Sequence, residues 1–361
     1  MNMIDSHQLI INLSIIFSQP TGISNYAKNL FPYLKSLNPT LLTAEKYPNY
    51  NCYSVPNNLT PADGTKGHLN RLLWTQFQLP KIYQKLKSQL LFSPIPEAPL
   101  YTNCRFIVMS HDMIPLRFPK RFSPLTPYHL YYVPQVLNQA QHIICNSHAT
   151  AKDLVDFFHI PSNKITPIPL AYDSSHFQFL NLPTRNYFLY IGRQDPYKNL
   201  QRLITAFSAL PNRNDYELWL AGPDDQRYSP LLEIQTQELG INHLVKFLNY
   251  VPYDELPIII NQAIALVFPT LWEGFGLPVL EAMACGTPVI TSNISSLPEV
   301  AGDAAILINP YHIEEITAAM KMIINDSETR KQLSEKGLKR VNQFSWEKTG
   351  LATVEVLKQY L

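Results

Sequence analysis

The sequence predicts an α/β protein made of two domains, each with a parallel β-sheet. The length of 361 residues exceeds that of most single domains and indicates two or three. Short apolar segments alternate with longer helical patterns along most of the chain, which is typical of βαβ units. A polar, irregular stretch at residues 171–184 separates two such series and predicts an interdomain linker.

The first series combines short apolar runs, which predict strands, with longer patterns that predict helices. The strands are predicted at residues 9–17, 90–92, 106–110, 142–146 and 165–168. The helices are predicted at residues 25–35, 69–86, 128–139 and 149–157. Residues 44–67 are rich in Asn, Pro and Tyr, and we expect them to be irregular.

The second series has the same alternation and ends in a helical segment at residues 327–361, which contains Phe344, Ser345 and Trp346. Its strands are predicted at residues 187–191, 217–221, 245–247, 265–268, 289–291 and 305–308. Its helices are predicted at residues 199–209, 228–239, 254–261, 278–285, 297–301 and 313–325.

The composition supplies enough apolar residues for real cores. Hydrophobic residues make up 46% of the chain and charged residues 16%. The net charge of +1 divides unevenly: residues 1–180 carry 14 basic and 8 acidic residues (+6), and the remainder carries 15 and 20 (−5). A basic half favours acidic lipids or phosphorylated acceptors, but it is also an ordinary fluctuation in soluble proteins. The near-neutral overall charge and the lack of a nucleic-acid motif argue against a nucleic-acid partner.

The cysteines and the apolar runs indicate a cytoplasmic protein. Cys52, Cys104, Cys145 and Cys285 are widely spaced, so neither a zinc site nor a disulfide framework is predicted. We expect each of them to be a small buried hydrophobe, as in a reducing compartment. The apolar run at residues 9–17 is too short to span a membrane, and no other run approaches 18 residues. Any membrane contact is therefore expected to be peripheral.

The most informative segment is EGFGLPVLEAMACG, which begins at Glu273 and ends at Gly286. Pro278 favours a helix start, and Gly286 favours its end. Glu273 then lies just before a helix N-terminus and Glu281 about one turn inside it. Free N–H groups and the helix dipole can bind phosphate there, while the carboxylates can accept hydrogen bonds from hydroxyls. The segment therefore predicts a sugar-nucleotide site.

The same residues resemble the retaining glycosyltransferases of family 4, which have the GT-B fold. Two glutamates eight apart are common by chance, whereas the full string P-T-L-W-E-G-F-G-L-P-V-L-E-A-M-A-C-G-T-P-V-I-T-S is specific. The resemblance is strong over residues 187–300 and weak elsewhere. It implies two Rossmann-like domains facing each other across a deep cleft. Residues 1–172 would be the acceptor domain, completed by a last helix at about 346–361, and residues 185–345 the donor domain.

A second segment, I-G-R-Q-D-P-Y-K-N-L, ends one predicted strand and opens the next helix. A strand end followed by two cations and a helix N-terminus suits a diphosphate. The resemblance implies that Arg193 and Lys198 hold the donor diphosphate and stabilise the leaving group, that Glu273 holds the sugar, and that Glu281 binds the ribose. It implies donor-site residues throughout the second half: Gly192, Arg193, Lys198, Tyr250, Val251, Glu273, Gly274, Phe275, Gly276, Leu277 and Glu281.

In the first half, two positions match the family. Gly22 belongs to a one-glycine version of the loop that approaches the donor phosphate or the acceptor, although a plain strand-to-helix turn remains the alternative. His111 follows the strand predicted at residues 106–110, at the end where α/β domains place ligands. The resemblance implies that His111 contacts the transferred sugar. Asp112 is expected to orient its loop.

A basic and aromatic stretch at residues 117–122 precedes Tyr128, Tyr131 and Tyr132. It fits an acceptor-side loop, and it also fits a contact with a membrane interface or a lipid-linked acceptor.

The resemblance implies a retaining glycosyltransferase that needs no metal and no cofactor besides its donor, a GDP- or UDP-sugar. A mannose-like hexose would pass to a glycan or lipid-linked acceptor in polysaccharide biosynthesis, in the cytoplasm or at the inner face of a membrane. Three alternatives stay open. One is another GT-B enzyme, such as an epimerase or a pyridoxal-dependent phosphorylase, and another is a non-catalytic sugar-nucleotide-binding module. The third is a membrane-recruited scaffold.

Overall fold

The computed structural model describes residues 8–16, 22–120, 123 and 125–361. The chain forms two compact units. The first unit consists of Met1–Leu170 and Trp346–Leu361, and the second of Ala171–Ser345. Residues 171–184, predicted as a linker, contain no helix or strand. They belong to the second unit, in which Leu180 N donates to Asn261 Oδ1 at 2.7 Å.

The first unit is built on a seven-stranded sheet, counted within the described residues. Its strands are β1 (Leu9–Asn12), β2 (Thr40–Thr43), β3 (Asn51–Ser54), β4 (Leu90–Ser93), β5 (Phe106–Ser110), β6 (His142–Cys145) and β7 (Ile165–Pro167). All neighbours pair in parallel in the order β3-β2-β1-β4-β5-β6-β7. The apolar runs fit this arrangement, because central parallel strands are buried on both faces. The order reverses between β1 and β4, where such sheets open a ligand crevice.

Prolines divide the helices of the first unit more finely than the sequence pattern predicts. The helix predicted at residues 69–86 is interrupted after Phe77, because Pro80 lacks the N–H that would continue it. Tyr128–Tyr132 forms a π-helix before the α-helix resumes. The α-helices are α1 (Gly22–Leu30), α2 (Gly64–Phe77), α3 (Leu79–Lys85), α4 (Ile114–Arg117), α5 (Leu125–Pro127), α6 (Val133–Gln139) and α7 (His148–Phe158).

Several predictions for the first unit were wrong. The strands β2 and β3 were missed, and β3 lies in the segment predicted to be irregular. Its alternation is hard to recognise because it is a four-residue edge strand with mostly exposed side chains. The strand predicted at residues 9–17 ends at Asn12, whose side chain accepts from Ser14 N at 3.2 Å and starts a turn. Phe17 lies outside the described residues.

Cys52 lies on β3 and is exposed, whereas Cys104, Cys145 and Cys285 are buried. The expectation that all four thiols are buried was therefore wrong for Cys52, because it lies on the edge strand. All four are free cysteines.

The second unit has a six-stranded parallel sheet within the described residues, in the order β10-β9-β8-β11-β12-β13. Its strands are β8 (Tyr187–Ile191), β9 (Glu217–Ala221), β10 (Val245–Asn249), β11 (Ala265–Phe268), β12 (Val289–Ser292) and β13 (Ile306–Ile308). Here the order reverses between β8 and β11. The helices are α8 (Leu200–Ser208), α9 (Ser229–Glu238), α10 (Leu256–Gln262), α11 (Leu277–Ala284), α12 (Leu297–Ala301), α13 (Ile313–Asn325) and α14 (Ser327–Arg340). Most of these strands and helices begin and end within about two residues of the predicted positions.

The last helix, α15 (Trp346–Lys358), belongs to the first unit. Thr349 Oγ1 donates to Pro169 O at 2.8 Å. Gly350 packs against Tyr33 so closely that an added Cβ would lie 2.2 Å from the Tyr33 Cβ. The predicted return of the last helix to the first domain is thus confirmed. In the described part of the chain, no helix is long and apolar enough to cross a membrane.

Candidate active site

The two motif-bearing segments of the second half meet at the point where the strand order of the second unit reverses. One segment follows β8 and the other follows β11, and these two strands are hydrogen-bonded neighbours. Beyond the strands, Leu271 N donates to Tyr197 O at 2.7 Å and holds the two loops together. Parallel α/β sheets bind ligands at this position.

The centre of this site is an ion pair between Lys198 and Glu273. The Lys198 Nζ and Glu273 Oε1 atoms lie 2.5 Å apart, and the side chains are only 11% and 12% exposed. The ammonium group also lies 5.1 Å from the centroid of the Tyr197 ring and 5.5 Å from that of Phe268, within cation–π range. The lysine predicted to hold phosphate and the glutamate predicted to hold the sugar therefore contact each other directly.

Asn199 fixes the loop that carries Lys198, and the sequence reasoning missed it. Its backbone is left-handed, with φ of 65°, a conformation that Asn tolerates better than most residues. Its Nδ2 donates to Pro269 O at 2.9 Å and to Pro310 O at 2.7 Å, so it ties the loop after β8 to the loop after β11. The signal available was an Asn at the first position of a predicted helix.

The loop from Glu273 to Gly276 is held by two serines that the sequence reasoning also missed. Ser295 Oγ accepts from Glu273 N at 3.3 Å, and Ser296 Oγ lies 3.0 Å from Glu273 O and 2.7 Å from Phe275 O. Gly276 has φ of +107°, and a Cβ there would come within 2.6 Å of Leu297 Cδ2. Only glycine fits at this turn, because both the backbone conformation and the space exclude a side chain.

The Glu281 carboxyl group lies on α11, which begins at Leu277 with Pro278 in its first turn. Among the described residues, it forms no hydrogen bond or ion pair. Burial, and secondly the negative charge of Asp173, raise the pKa of Glu281 to about 7. An unpaired carboxyl group in this position can accept hydrogen bonds from ligand hydroxyls.

Asp173 and Tyr253 form a group beside Glu281 that the sequence did not indicate. Tyr253 OH donates to Asp173 Oδ2 at 3.3 Å, and the Tyr253 ring stacks on His176 with centroids 3.8 Å apart. Because Asp173 and Tyr253 are eighty residues apart in the sequence, no local pattern could have joined them.

Arg193 lies in the same loop as Lys198, but its side chain is exposed and pairs with Asp195 at 3.3 Å. Gly192 before it has φ of +147°, and its carbonyl oxygen would lie 1.9 Å from a Cβ on Gly222. Gly222, at the end of β9, is therefore a second close-approach glycine that the sequence reasoning missed. A contact of Arg193 with a ligand phosphate stays a prediction, and its guanidinium is not part of the buried ion pair.

Tyr250 and Val251 are placed differently from the other predicted donor-site residues. They follow β10, the edge strand, three positions from β11 in the sheet order. Tyr250 is exposed and Val251 is half-buried. Gly274 and Leu277 lie in the loop and at the start of α11, next to Glu273.

In the first unit, His111 lies at the carboxyl end of β5, as predicted. Its Nε2 atom is 2.9 Å from Pro94 O. A carbonyl oxygen can only accept, so Nε2 carries the hydrogen and Nδ1 keeps its lone pair. Burial lowers the pKa of His111 to about 4, so the ring is neutral at pH 7. Tyr26 contacts it edge-on at 5.0 Å, and Asp112 Oδ1 accepts from Ile114 N at 2.9 Å, which orients the loop.

Gly22 is the first residue of α1, and a Cβ there would meet no described atom within 4 Å. Open space at this glycine is compatible with close approach of a ligand. Thr21 and the residues before it back to Phe17 lie outside the described residues.

Internal contacts involve Arg117 in the basic and aromatic stretch and Tyr132 after it. Arg117 pairs bidentately with the buried Asp153, with Nε to Oδ2 at 2.9 Å. Tyr132 OH donates to Ala98 O at 3.0 Å. The charge of Arg117 is therefore compensated by Asp153, and a membrane contact of this stretch stays a prediction. Arg121 and Phe122 lie outside the described residues.

Among the residues that the structure describes, no group of three or more His, Cys, Asp or Glu side chains could hold a metal ion.

Models of known protein families match both halves of the chain. The model described as Glycosyltransferase Family 4 matches residues 20–176, and the one described as Glycosyl transferases group 1 matches residues 172–340. The chain belongs to glycosyltransferase family 4.

Relatives of this family 4 member include proteins described as bacterial mannosyltransferases. The O-antigen chain mannosyltransferase B of Escherichia coli is 34% identical over 62% of this chain and 61% of its own length. The serotype-specific mannosyltransferase WbdA of Escherichia coli is 28% identical over 73% of this chain but only 34% of its own length. The O-antigen chain mannosyltransferase RfbU of Salmonella typhimurium is 26% identical over 87% of this chain and 90% of its own. The chain thus spans less than two thirds of the length of the first two relatives.

Solved structures agree with the fold of this family 4 member. Sucrose-phosphate synthase from Thermosynechococcus elongatus gives a TM-score of 0.76 at 20% identity and covers 98% of both chains. Anabaena HepE in complex with UDP and glucose gives 0.76 at 17% identity, with 98% of this chain and 100% of that chain covered. The predicted GT-B architecture of two Rossmann-like domains is confirmed.

Proposed function

We propose that this chain is a retaining glycosyltransferase that moves a hexose from a nucleotide-diphosphate sugar to a glycan or lipid-linked acceptor in polysaccharide biosynthesis. The observation that carries the proposal is the buried Lys198–Glu273 ion pair, 2.5 Å long, between the loops at the reversal of strand order. It places a cation and a carboxylate where a sheet of this type receives a nucleotide.

Each part of the donor has a matching group in the second unit. Lys198, Arg193 and the N-terminus of α11 supply positive charge and N–H donors for the diphosphate. The unpaired carboxyl group of Glu281 would accept hydrogen bonds from the ribose, and Glu273 would hold hydroxyls of the sugar. The description of HepE as a complex with UDP and glucose supports a nucleotide-sugar donor.

In the proposed reaction, the bond between the anomeric carbon and the diphosphate oxygen breaks, and an acceptor hydroxyl bonds to that carbon from the same face. The hydroxyl proton passes to the departing diphosphate. Lys198 and Arg193 stabilise the charge that develops on the leaving group, a role in which a metal ion is not needed. His111 is neutral, and its Nδ1 would accept a hydrogen bond from a hydroxyl of the transferred sugar.

Mannose is the proposed sugar, because three of the relatives are described as mannosyltransferases. The donor would then be a GDP- or UDP-sugar, and the acceptor would be bound by the first unit. We place the activity in the cytoplasm, in line with free cysteines that form no disulfide.

The test is thermal unfolding of the chain and of two variants with GDP-mannose, UDP-glucose and ADP-glucose. A ligand that binds only the folded state raises the midpoint. We expect a shift with one nucleotide class that is lost in Glu281→Ala and kept in Glu238→Ala, which removes an exposed carboxylate at the end of α9. An unchanged midpoint with every donor, or equal shifts in both variants, would contradict the donor site.

Catalysis is tested separately by measuring nucleoside diphosphate release with glycan and lipid-linked acceptors, with and without EDTA. Acceptor-dependent release that survives EDTA is expected. If the chain binds donor but releases no nucleoside diphosphate with any of the acceptors, the result would favour the non-catalytic binding module.

A further inference from the structure

A buried ion pair in the first unit has no part in the proposed donor site. Arg71 on α2 and Glu97, in the loop after β4, are 4% and 1% exposed. Arg71 Nε donates to Glu97 Oε2 at 2.7 Å and Nη2 donates to Oε1 at 2.8 Å, so the pair is bidentate. A buried pair stabilises a fold little compared with apolar side chains of similar volume, because both charges lose their hydration. Stability alone therefore does not account for it.

Further hydrogen bonds hold both members of the pair in place. Arg71 Nη1 donates to Leu59 O at 3.1 Å, and Nη2 lies 2.8 Å from His68 Nδ1, which accepts because a guanidinium only donates. Tyr128 OH donates to Glu97 Oε1 at 3.2 Å. Burial, and secondly the charge of Glu97, raise the pKa of Tyr128 well above its usual value, so the hydroxyl keeps the proton that it donates. Glu97 is thus held from α2 and from the π-helix.

The loop that carries Glu97 is short and stiff. It reads S-P-I-P-E-A-P over residues 93–99, and each of its three prolines has φ fixed by the ring. Glu97 N donates to Ile95 O at 2.8 Å, which closes a three-residue turn. Ile95 is restricted as well, because it precedes a proline. The loop therefore has little slack to absorb a change in the position of Glu97.

The end of the loop is held separately from the ion pair. Ala98 O accepts from Gln76 Nε2 on α2 at 2.9 Å and from Tyr132 OH at 3.0 Å. Leu100 N donates to Gln76 Oε1 at 3.0 Å. Loss of the Arg71–Glu97 pair should therefore release the turn before Ala98 without unfolding the whole loop.

The beginning of the same loop contacts His111. Ser93 is fixed in the sheet, where it lies opposite Val108 of β5. The direction of the next carbonyl group depends on ψ of Pro94, and so on the path that the loop takes to Glu97. Pro94 O accepts from His111 Nε2 at 2.9 Å, which leaves Nδ1 as the accepting nitrogen. Glu97 thus lies three residues from the carbonyl group that sets the tautomer of His111.

We propose that Arg71 and Glu97 are positioning residues for His111: they hold the loop after β4 so that Pro94 O binds Nε2–H and Nδ1 can accept from the transferred sugar. The role of His111 in transfer rests on the proposed function, whereas its position rests on the contacts above. If the ring rotated or changed tautomer, it would present an N–H group in place of the lone pair. A sugar hydroxyl that donates to Nδ1 would then lose its acceptor.

Direct binding of the acceptor by the pair is the alternative. The side chains of Arg71 and Glu97 are only 5% and 1% exposed, and both carboxylate oxygens already accept from described donors. A ligand could reach His68 more easily, since its side chain is 24% exposed. Direct binding predicts a higher KM for the acceptor, whereas positioning of His111 predicts a lower kcat at unchanged KM.

The first test is NMR of the whole chain labelled with 15N-histidine, in which the His111 signals are assigned with His111→Gln. We expect a Nε2–H proton of His111 that exchanges slowly with water, because it is buried and bound to Pro94 O. The double variant Arg71→Met/Glu97→Leu removes both charges at similar volume and should lose this signal. Tyr128→Phe removes one hydrogen bond to Glu97 and keeps the ion pair. It should exchange the proton faster, and it serves as the test if the double variant does not fold.

The second test is the transfer assay with the same variants. We expect kcat to fall about 10- to 100-fold in Arg71→Met/Glu97→Leu and about threefold in Tyr128→Phe, with KM for donor and acceptor within about twofold. The shift of the unfolding midpoint with a nucleoside diphosphate should persist in both variants, because the proposed nucleotide site lies in the second unit.

The matched control is Thr166→Val on β7. It removes the hydroxyl group that lies 2.7 Å from Nε2 of another histidine of the first unit, His142. This variant should keep both the His111 signal and kcat. The proposal is overturned if the His111 signal is unchanged in the other two variants, or if only the KM for the acceptor rises. If no acceptor supports transfer, the proposed function fails, while the NMR measurement still decides whether the pair positions His111.

Discussion

At the scale of single residues, the Lys198–Glu273 pair combines structural and functional demands. A nearly buried ion pair stabilises the fold less than its short distance implies, because both groups lose hydration. Removing only one partner leaves an uncompensated charge inside the loop pair. We therefore expect removal of one partner to lower the free energy of unfolding. Removal of one partner or of both should abolish activity.

We expect Lys198→Ala to lower the free energy of unfolding by about 3 kcal/mol and to abolish transfer. The double variant Lys198→Met/Glu273→Leu, which removes both charges at similar volume, should recover most of that stability but no activity. Chemical denaturation with a transfer assay measures both. Lys152→Ala, which breaks the exposed Lys152–Asp156 pair, is the control and should change stability by less than about 1 kcal/mol. Recovery of activity in the double variant would exclude a direct role for the pair.

Glu281 predicts a particular dependence of stability on pH. Its pKa is raised from the usual 4.5 to about 7, chiefly by burial. Between these values the folded state binds more protons than the unfolded state, so this group's contribution is complete below pH 4.5 and is lost as pH rises through 7. Glu281→Gln cannot ionise and should gain up to about 3 kcal/mol relative to the unmodified chain between pH 4 and pH 8. Denaturation midpoints of both proteins across this range test it, and parallel curves would contradict it.

The sequence predicted most of the groups in the site but not their contacts. The segment with Glu273 and Glu281 and the segment with Lys198 could be recognised from the local sequence. Each follows a predicted strand and leads into a predicted helix. Their direct contact joins positions seventy-five residues apart. Asn199, Ser295 and Ser296 were missed because their function is to hold loops, and serine and asparagine are frequent in loops of every kind.

At the scale of elements, the most constrained contact involves α15. Gly350 faces Tyr33 so closely that even a methyl group would clash, and Trp346 lies 6.2 Å from the ring of Tyr26. The position of α15 therefore depends on the absence of a side chain at one residue.

Gly350→Ala should lower the free energy of unfolding of the first unit by about 1–3 kcal/mol, because backbone or Tyr33 must move. Leu351→Ala, at the neighbouring exposed position, should change it by less than about 0.5 kcal/mol. Tyr33→Ala in combination with Gly350→Ala should relieve part of the loss. Equal effects of the two single variants in thermal unfolding would show that the contact does not position α15.

The edge strand β3 and the break after α2 were not predicted, for two different physical reasons. The strand β3 is an edge strand with exposed side chains, so it has no continuous apolar run to recognise. The break between α2 and α3 arises from Pro80 within an otherwise continuous helical pattern, which periodicity alone does not resolve. The other buried strands and the amphipathic helices were predicted closely. The strand β2 was missed although it is buried, because it is only four residues long.

At the scale of the whole molecule, the two units are separate folding cores with the same strand order around β1 and β8. A nucleotide that binds where the strand order reverses in the second unit should stabilise the second unit more than the first. Hydrogen–deuterium exchange with and without GDP or UDP is the measurement. We expect slower exchange in peptides from β8 and β11 and unchanged exchange in peptides from β1 and β4. Protection confined to the first unit would contradict the assignment of the donor site.

The assignment of α15 to the first unit also bears on the order of events during synthesis. The second unit is one continuous segment, Ala171–Ser345, whereas the first needs chain from both sides of it. The first unit therefore obtains its last helix, α15, only after the whole second unit has been synthesised. The second unit can complete its core before the first unit does, although the strands of the first unit are synthesised earlier. We therefore expect the first unit to be completed after the second, whereas domains usually finish folding in amino-to-carboxyl order.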